Sequence, residues 1–163
     1  MTDPGSVAPA NRRAEVAMSP AEATAFLARH SRMQVATLGR SGFPHLVAVD
    51  YALVDCVPAF VSYARAQKVA NLRRDPRLAC LVEEGTAYHE LRGVELEADV
   101  RLVTDFDEVL ALSRAVVAAA TGREELPDFL ARELERITPH RVACHLDVVR
   151  IRSWDHTRLG GSW

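Results

Sequence analysis

Residues 60–82 read FVSYARAQKVANLRRDPRLACLV and change their period twice. FVSY and RLACLV are apolar, partly β-branched runs of strand length, whereas QKVANLRR sets Val69 and Leu72 three apart on one helical stripe. Asp75-Pro76 ends that helix, because the residue before a proline is pushed out of the α region. The stretch predicts a strand, a short helix over Gln67–Arg74 and a returning strand.

The rest of the chain supports a β-rich core with helices around it. Downstream, Val94, Leu96, Ala98, Val100 and Leu102 alternate with Glu95, Glu97, Asp99 and Arg101, the period of a half-buried strand. Upstream, MQVATL from Met33 and the run PHLVAVDYALV flank the turn residues Arg40-Ser41-Gly42 and read as a hairpin, with a break at Asp55 to Pro58. Ser19-Pro20 and Glu22 form a capping box for a helix reaching about His30. Asp105, Glu108 and Gly122 bound another helix, Pro127 to Ile137 reads as a further one, and HRVACHLDVVRIRSW closes the pattern as a last strand. Short loops between early strands imply antiparallel pairing, and six such strands hide their edges by closing into a small barrel. The expected class is α+β.

At 163 residues the chain has room for one core, and 48% hydrophobic with 26% charged residues suits a packed protein. Residues 1–17 carry Pro, Gly, Ser and Asn without apolar period and are expected to be a flexible tail ahead of a domain over 18–163. A net charge of -2 argues against nucleic acid as a partner. No run approaches a membrane span and no export signal leads the chain, so no membrane partner is expected. Cys56, Cys80 and Cys144 are odd in number and lack a CxxC pair, which suits a reducing compartment and predicts a cytoplasmic protein.

The sequence holds no GxGxxG, no GxxxxGK[ST] and no G-x-S-x-G. His89-Glu90 would begin a zinc-protease helix, but Gly93 stands where its second histidine belongs, and Cys144-His145 point to opposite faces of a strand, so no metal is expected. What remains is the junction after FVSY, where Ser62, Tyr63, Arg65, Gln67, Lys68 and Asn71 gather and Lys68 is the only lysine of the chain. A helix start with open amides, an ammonium, hydroxyls and carboxamides suits a phosphate. The competing reading is a solvated basic helix face over a barrel end.

Four fragments in order carry a resemblance: VATLGRSGFPHLVAV, YARAQKVANLRRDPRLACLV, ELRGVELEADVRLVTD and SWDHTRLGG, together spanning about Met33 to Gly161. The chain resembles the pyridoxamine 5'-phosphate oxidase-like family of flavin- and deazaflavin-binding proteins, in its actinobacterial F-420-dependent branch. The resemblance implies a six-stranded antiparallel split β-barrel with peripheral helices, assembled as a homodimer with a cofactor in each cleft between subunits. It places phosphate contacts at Ser62, Tyr63, Lys68 and Asn71. Arg65 and Gln67 fall at the outer phosphate or at an acidic tail, and backbone around Val47, Val49, Phe60, Val61 and Ser62 lines the ring. Trp154 either covers the ring of the neighbouring subunit or anchors the last strand. The arginine set and terminal motif of true pyridoxamine 5'-phosphate oxidases are not recognisable, so oxidation of vitamin B6 is not expected.

The function implied is hydride transfer between coenzyme F-420, a deazaflavin, and a small organic substrate. An FMN-dependent oxidoreductase and a non-catalytic module that holds a flavin, a haem breakdown product or another planar ligand are the alternatives. Arg65, Arg73 and Arg74 favour the deazaflavin with its acidic tail. No catalytic residue stands out; Tyr63, Tyr88 and His45 are the side chains suited by type to donate a proton.

Overall fold

A computed structural model describes residues 12–123 and 125–160. Seven strands form one antiparallel sheet: β1 (Arg32–Leu38), β2 (Pro44–Asp50), β3 (Ala52–Val54), β4 (Val57–Tyr63), β5 (Arg77–Glu84), β6 (Arg92–Val103) and β7 (Arg141–Asp155). Their order is β2-β1-β5-β6-β7-β4-β3, and the sheet curls until β2 meets β4, giving a split barrel. Five helices surround it: α1 (Arg12–Val16), α2 (Pro20–Ala28), α3 (Gln67–Arg74), α4 (Phe106–Thr121) and α5 (Asp128–Ile137).

The seventh strand arises because the run from Pro44 to Val54 is interrupted at Tyr51. The Tyr51 amide donates to Ser31 O at 2.8 Å and its hydroxyl to Leu27 O at 2.6 Å. Both bonds draw the fully buried ring toward α2 and separate β2 from β3. The β3–β4 hairpin then turns on Asp55 and Cys56, both at positive φ (50° and 66°), the backbone a two-residue hairpin requires.

The two faces of the sheet are buried differently. Met33, Val35, Phe60, Leu78, Cys80, Leu96, Val142 and Cys144 fill the barrel interior with Phe26, Leu27, Val69 and Leu72 from α2 and α3. On the other side of β4 and β7, Ala52, Ala59 and Ala143 pack beneath Val109 and Leu112 of α4. Small residues on the strands let the helix approach closely. The β6–β7 ladder is irregular at one point: Glu97 pairs with Arg150 and Ala98 with Val148, leaving Val149 as a bulge that is 70% exposed.

The folded part begins before Met18. Val16 of α1 is buried, and the Arg158 side chain donates to Ala17 O at 2.6 Å. Residues 1–11 and 161–163 lie outside the described residues. The capping box at α2 forms as expected, with Ser19 N–H donating to Glu22 at 2.7 Å, and this bond together with Arg158 holds the Glu22 carboxyl down to about 2. No described helix is long and apolar enough to cross a membrane.

Burial separates the three thiols. Cys56 is exposed, whereas burial pushes the Cys80 and Cys144 thiols up to about 12. One thiol is therefore expected to react rapidly with a disulfide reagent at pH 8 and three after denaturation, and Cys56→Ser should abolish the rapid phase. Two rapid thiols in the native protein would contradict the packing of β5 and β7.

Candidate functional site

The open seam of the barrel lies between edge strand β2 and β4, where α3 follows β4. Strand alternation decides which side chains face it. Along β4, Phe60 and Ser62 point into the barrel, and Ser62 stays 6% exposed because it stands between the interior and the seam. The helix that follows brings Lys68 back over this end, where its Nζ donates to Ser62 Oγ at 3.2 Å. Close by is Cys144, whose raised thiol pKa is set first by burial and then partly offset by the Lys68 charge. Among the described residues Lys68 forms no ion pair, so its ammonium has a neutral hydroxyl as its hydrogen-bond partner.

Ala66 stands at the N-cap of α3 without a side-chain cap; Val69 N–H donates to Ala66 O at 3.0 Å, which leaves the Gln67 and Lys68 amides without an acceptor among the described residues and open to an anion. Asn71 is fully buried, and both ends of its carboxamide are engaged: Oδ1 accepts from Gln67 Nε2 at 2.9 Å and Nδ2 donates to Thr37 Oγ1 at 3.0 Å. Asn71 thus ties α3 to β1, and Gln67 carries the polar chain outward. Arg65 is exposed beside the turn. Arg73 donates to Ala64 O at 3.0 Å and Arg74 to Leu38 O, so each guanidinium braces the barrel end while keeping its charge there.

β2 supplies the facing wall. Val47 and Val49 are half-buried against the barrel core, on the same side of the strand as His45. His45 pairs in register with Thr37, and its Nδ1 is buried without a hydrogen-bond partner among the described residues. Sequence reasoning named His45 only by residue type and missed Thr37. The shared parity of 33, 35, 37 and 45, 47, 49 across one hairpin was the available signal.

The remaining expected residues fall elsewhere within the subunit. Val61 packs on the opposite face of β4, against the cluster beneath α4. Tyr63 shares that face, 55% exposed, with the Arg141 guanidinium 4.9 Å from its ring centroid. Neither side chain shares the inward face of Phe60 and Ser62, although their backbone belongs to the same strand. Trp154 lies across Gly93, where an added Cβ would collide with the indole. It lines a cavity of about 850 Å³ with Arg13, Val16, Met18 and Ile151, away from Lys68.

A lone ammonium, uncapped helix amides and a hydroxyl at one end of an apolar seam fit an anionic group with a flat apolar body. The unpaired buried His45 Nδ1 fits a polar group further along. These residues therefore fit the phosphate and ring of a flavin or deazaflavin. No group of three or more His, Cys, Asp or Glu gathers to hold a metal among the described residues.

The family model described as pyridoxamine 5'-phosphate oxidase matches residues 19–155. A conserved hypothetical protein from Mycobacterium tuberculosis is 34% identical in a match covering 93% of each chain, with a TM-score of 0.84. A putative 5-nitroimidazole antibiotic resistance protein from Bacteroides thetaiotaomicron superposes with a TM-score of 0.70 at 10% identity over 85% of each chain. An F-420 reductase does so with a TM-score of 0.64 at 20% identity, covering 82% of this chain and 98% of that one. The last two share the fold. No curated protein matches this chain in sequence.

Proposed function

The chain belongs to the pyridoxamine 5'-phosphate oxidase family, and from that premise we propose that it is an oxidoreductase that passes hydride between coenzyme F-420 and a small organic substrate. The observation that carries the reading is Lys68: a cation with no ion-pair partner among the described residues, held on Ser62 at the uncapped start of α3, where the seam opens. The cofactor, when bound, supplies the redox-active carbon. This chain's part is to hold the phosphate with Lys68 and Ser62, to press Val47 and Val49 against the ring, and to keep water from it. Arg65 and the charges of Arg73 and Arg74 at the barrel end favour a tail of several carboxylates over the single phosphate of FMN. FMN would use the same Lys68 anchor.

A homodimer with the cofactor between subunits is part of the proposal. Leu46 and Val149 are 66% and 70% exposed on the outer sheet face, an apolar area that a second copy would cover. Trp154 lies on the same side and would then stand close to the partner's cleft. Three free cysteines accord with a cytoplasmic location.

Titration with F-420 and with FMN, read by the absorbance and fluorescence of the ring, tests the cofactor. Tighter binding of F-420 is expected, followed by oxidation of reduced F-420 when unsaturated or nitro acceptors are supplied. No binding of either cofactor would end the proposal, and retention of reduced cofactor without turnover across a broad acceptor panel would make the protein a binding module.

A further inference from the structure

We propose that the cavity of about 850 Å³ between the N-terminal segment and the end of β7 binds a planar organic monocarboxylate, its ring system on the Trp154 indole and its carboxylate at Arg13. The site lies away from Lys68 and does not depend on the cofactor reading. It exists because β4 pairs with β7 only as far as His145, so the later part of β7 has one edge open and α1 lies against it instead. Two clamps hold that facing segment in place without a ligand. Met18 N–H donates to Ser153 Oγ at 3.0 Å, and the Arg158 guanidinium donates to Ala17 O at 2.6 Å. Val16 and Met18, on either side of Ala17, are buried by these bonds. A pocket already held open spares its ligand the cost of ordering it.

Size, shape and charge of the lining select the ligand. Pockets for small organic molecules run from about 300 to 1,000 Å³, so this one has room for a body of two or three rings. Val16, Met18 and Ile151 make the walls chiefly apolar, which disfavours a sugar or a free phosphate. The Trp154 indole rests on the bare backbone of Gly93, where an added Cβ would come within 2.3 Å of it, and so forms a fixed, flat wall. His156 adds a second aromatic edge, its ring 4.5 Å from that of Tyr88 and its Nδ1 2.9 Å from Tyr88 O. Flat rings pack well on such walls. At the charged end, Glu95 and Arg152 pair with each other at 3.0 Å, whereas Arg13 has no ion pair or hydrogen bond among the described residues. A guanidinium beside an apolar wall takes one carboxylate through two parallel hydrogen bonds. A neutral ring would leave Arg13 without that partner, and a dicarboxylate would bring its second charge against Glu95.

Isothermal titration calorimetry of the full chain with naphthoate, naphthamide and acetate separates the ring from the charge. Naphthoate is expected to bind best, naphthamide roughly five- to fifty-fold more weakly and acetate not detectably. Arg13→Gln should bring naphthoate down to the level of naphthamide and leave naphthamide unchanged, and Arg13→Lys should keep part of the difference. Arg13 is exposed, so both variants should melt like the wild type. Trp154→Leu should weaken naphthoate and naphthamide alike by roughly two- to tenfold and Trp154→Phe by less, with thermal melts recorded for each because the indole packs on Gly93. The indole N–H resonance of Trp154, assigned by comparison with Trp163→Phe, should shift with either naphthalene probe and stay in place with acetate. Binding of naphthoate by a chain that takes neither F-420 nor FMN would leave this site standing and end the cofactor reading. Equal affinities of wild type and Arg13→Gln for naphthoate, an unmoved Trp154 resonance, or displacement of naphthoate by either cofactor would overturn the site. So would failure of the full chain to bind naphthoate.

Discussion

Replacing Phe60 by alanine is expected to lower the unfolding free energy by about 3–5 kcal/mol. The ring has no exposed surface and sits in the main core, on the β4 strand opposite Cys144 of β7. Val142 and Cys144 flank it on the neighbouring strand, and helix and strand residues from both halves of the chain share its cluster. A paired strand cannot collapse onto the missing ring without breaking its ladder to β7, so the cavity term adds to the lost transfer free energy. A loss of that size is a large share of the roughly 5–15 kcal/mol that holds most domains together. Urea unfolding followed by far-UV circular dichroism measures it. Phe60→Leu, which refills much of the volume, should cost less than about 1.5 kcal/mol. A cost near that value for Phe60→Ala would mean the ring is not packed between β7 and the helices. The truncation also removes apolar surface behind Ser62, so variant protein that remains folded should bind a flavin-type ligand more weakly.

What the sequence disclosed follows the range of the forces involved. The helix over Gln67–Arg74, the strand from Arg77 and the capping box at Ser19 are set by neighbours within a few residues, and they stand where spacing and capping chemistry put them. The long alternating run also stands, extended to Arg92, because period two over ten residues has no helical alternative. Distant partners decide the rest. Tyr51 divides the second strand only because Ser31 and Leu27 accept its protons, and Val16 joins the fold through contacts with the far end of the chain. The site divides in the same way. Ser62 and Lys68 are six residues apart and were legible as a strand-to-helix junction. The facing wall was not, since His45 meets Thr37 only through the hairpin register and Thr37 meets Asn71 across 34 residues. Nor does a run such as FVSY announce which parity looks inward. The packing of Val61 under α4 fixes that, and it turns Tyr63 away with it.

Replacing Lys68 by methionine is expected to weaken binding of F-420 or FMN by about 1–3 kcal/mol, roughly five- to 150-fold, while leaving folding stability nearly unchanged. The asymmetry follows from where the ammonium stands. In the free protein its hydrogen bond goes to a neutral hydroxyl, Ser62 Oγ at 3.2 Å, and the buried Cys144 thiol nearby is held neutral. Among the described residues no carboxylate pairs with the ammonium, so removing the charge sacrifices one weak hydrogen bond in the fold. A bound phosphate would turn that contact into a charge-assisted one in a half-buried setting, where screening by water is reduced. Methionine keeps the apolar stem against the barrel end, so the comparison isolates the charge. Riboflavin, which lacks the phosphate, should bind wild type and Lys68→Met alike, and the dependence of affinity on salt should flatten in the variant. Lys68→Arg should restore only part of the loss, because a planar fork does not reproduce the point charge that a compact ammonium places on Ser62. Equal affinity of wild type and Lys68→Met for the phosphorylated cofactor would remove the anchor and, with it, the reason for placing the ligand's anionic end at the start of α3.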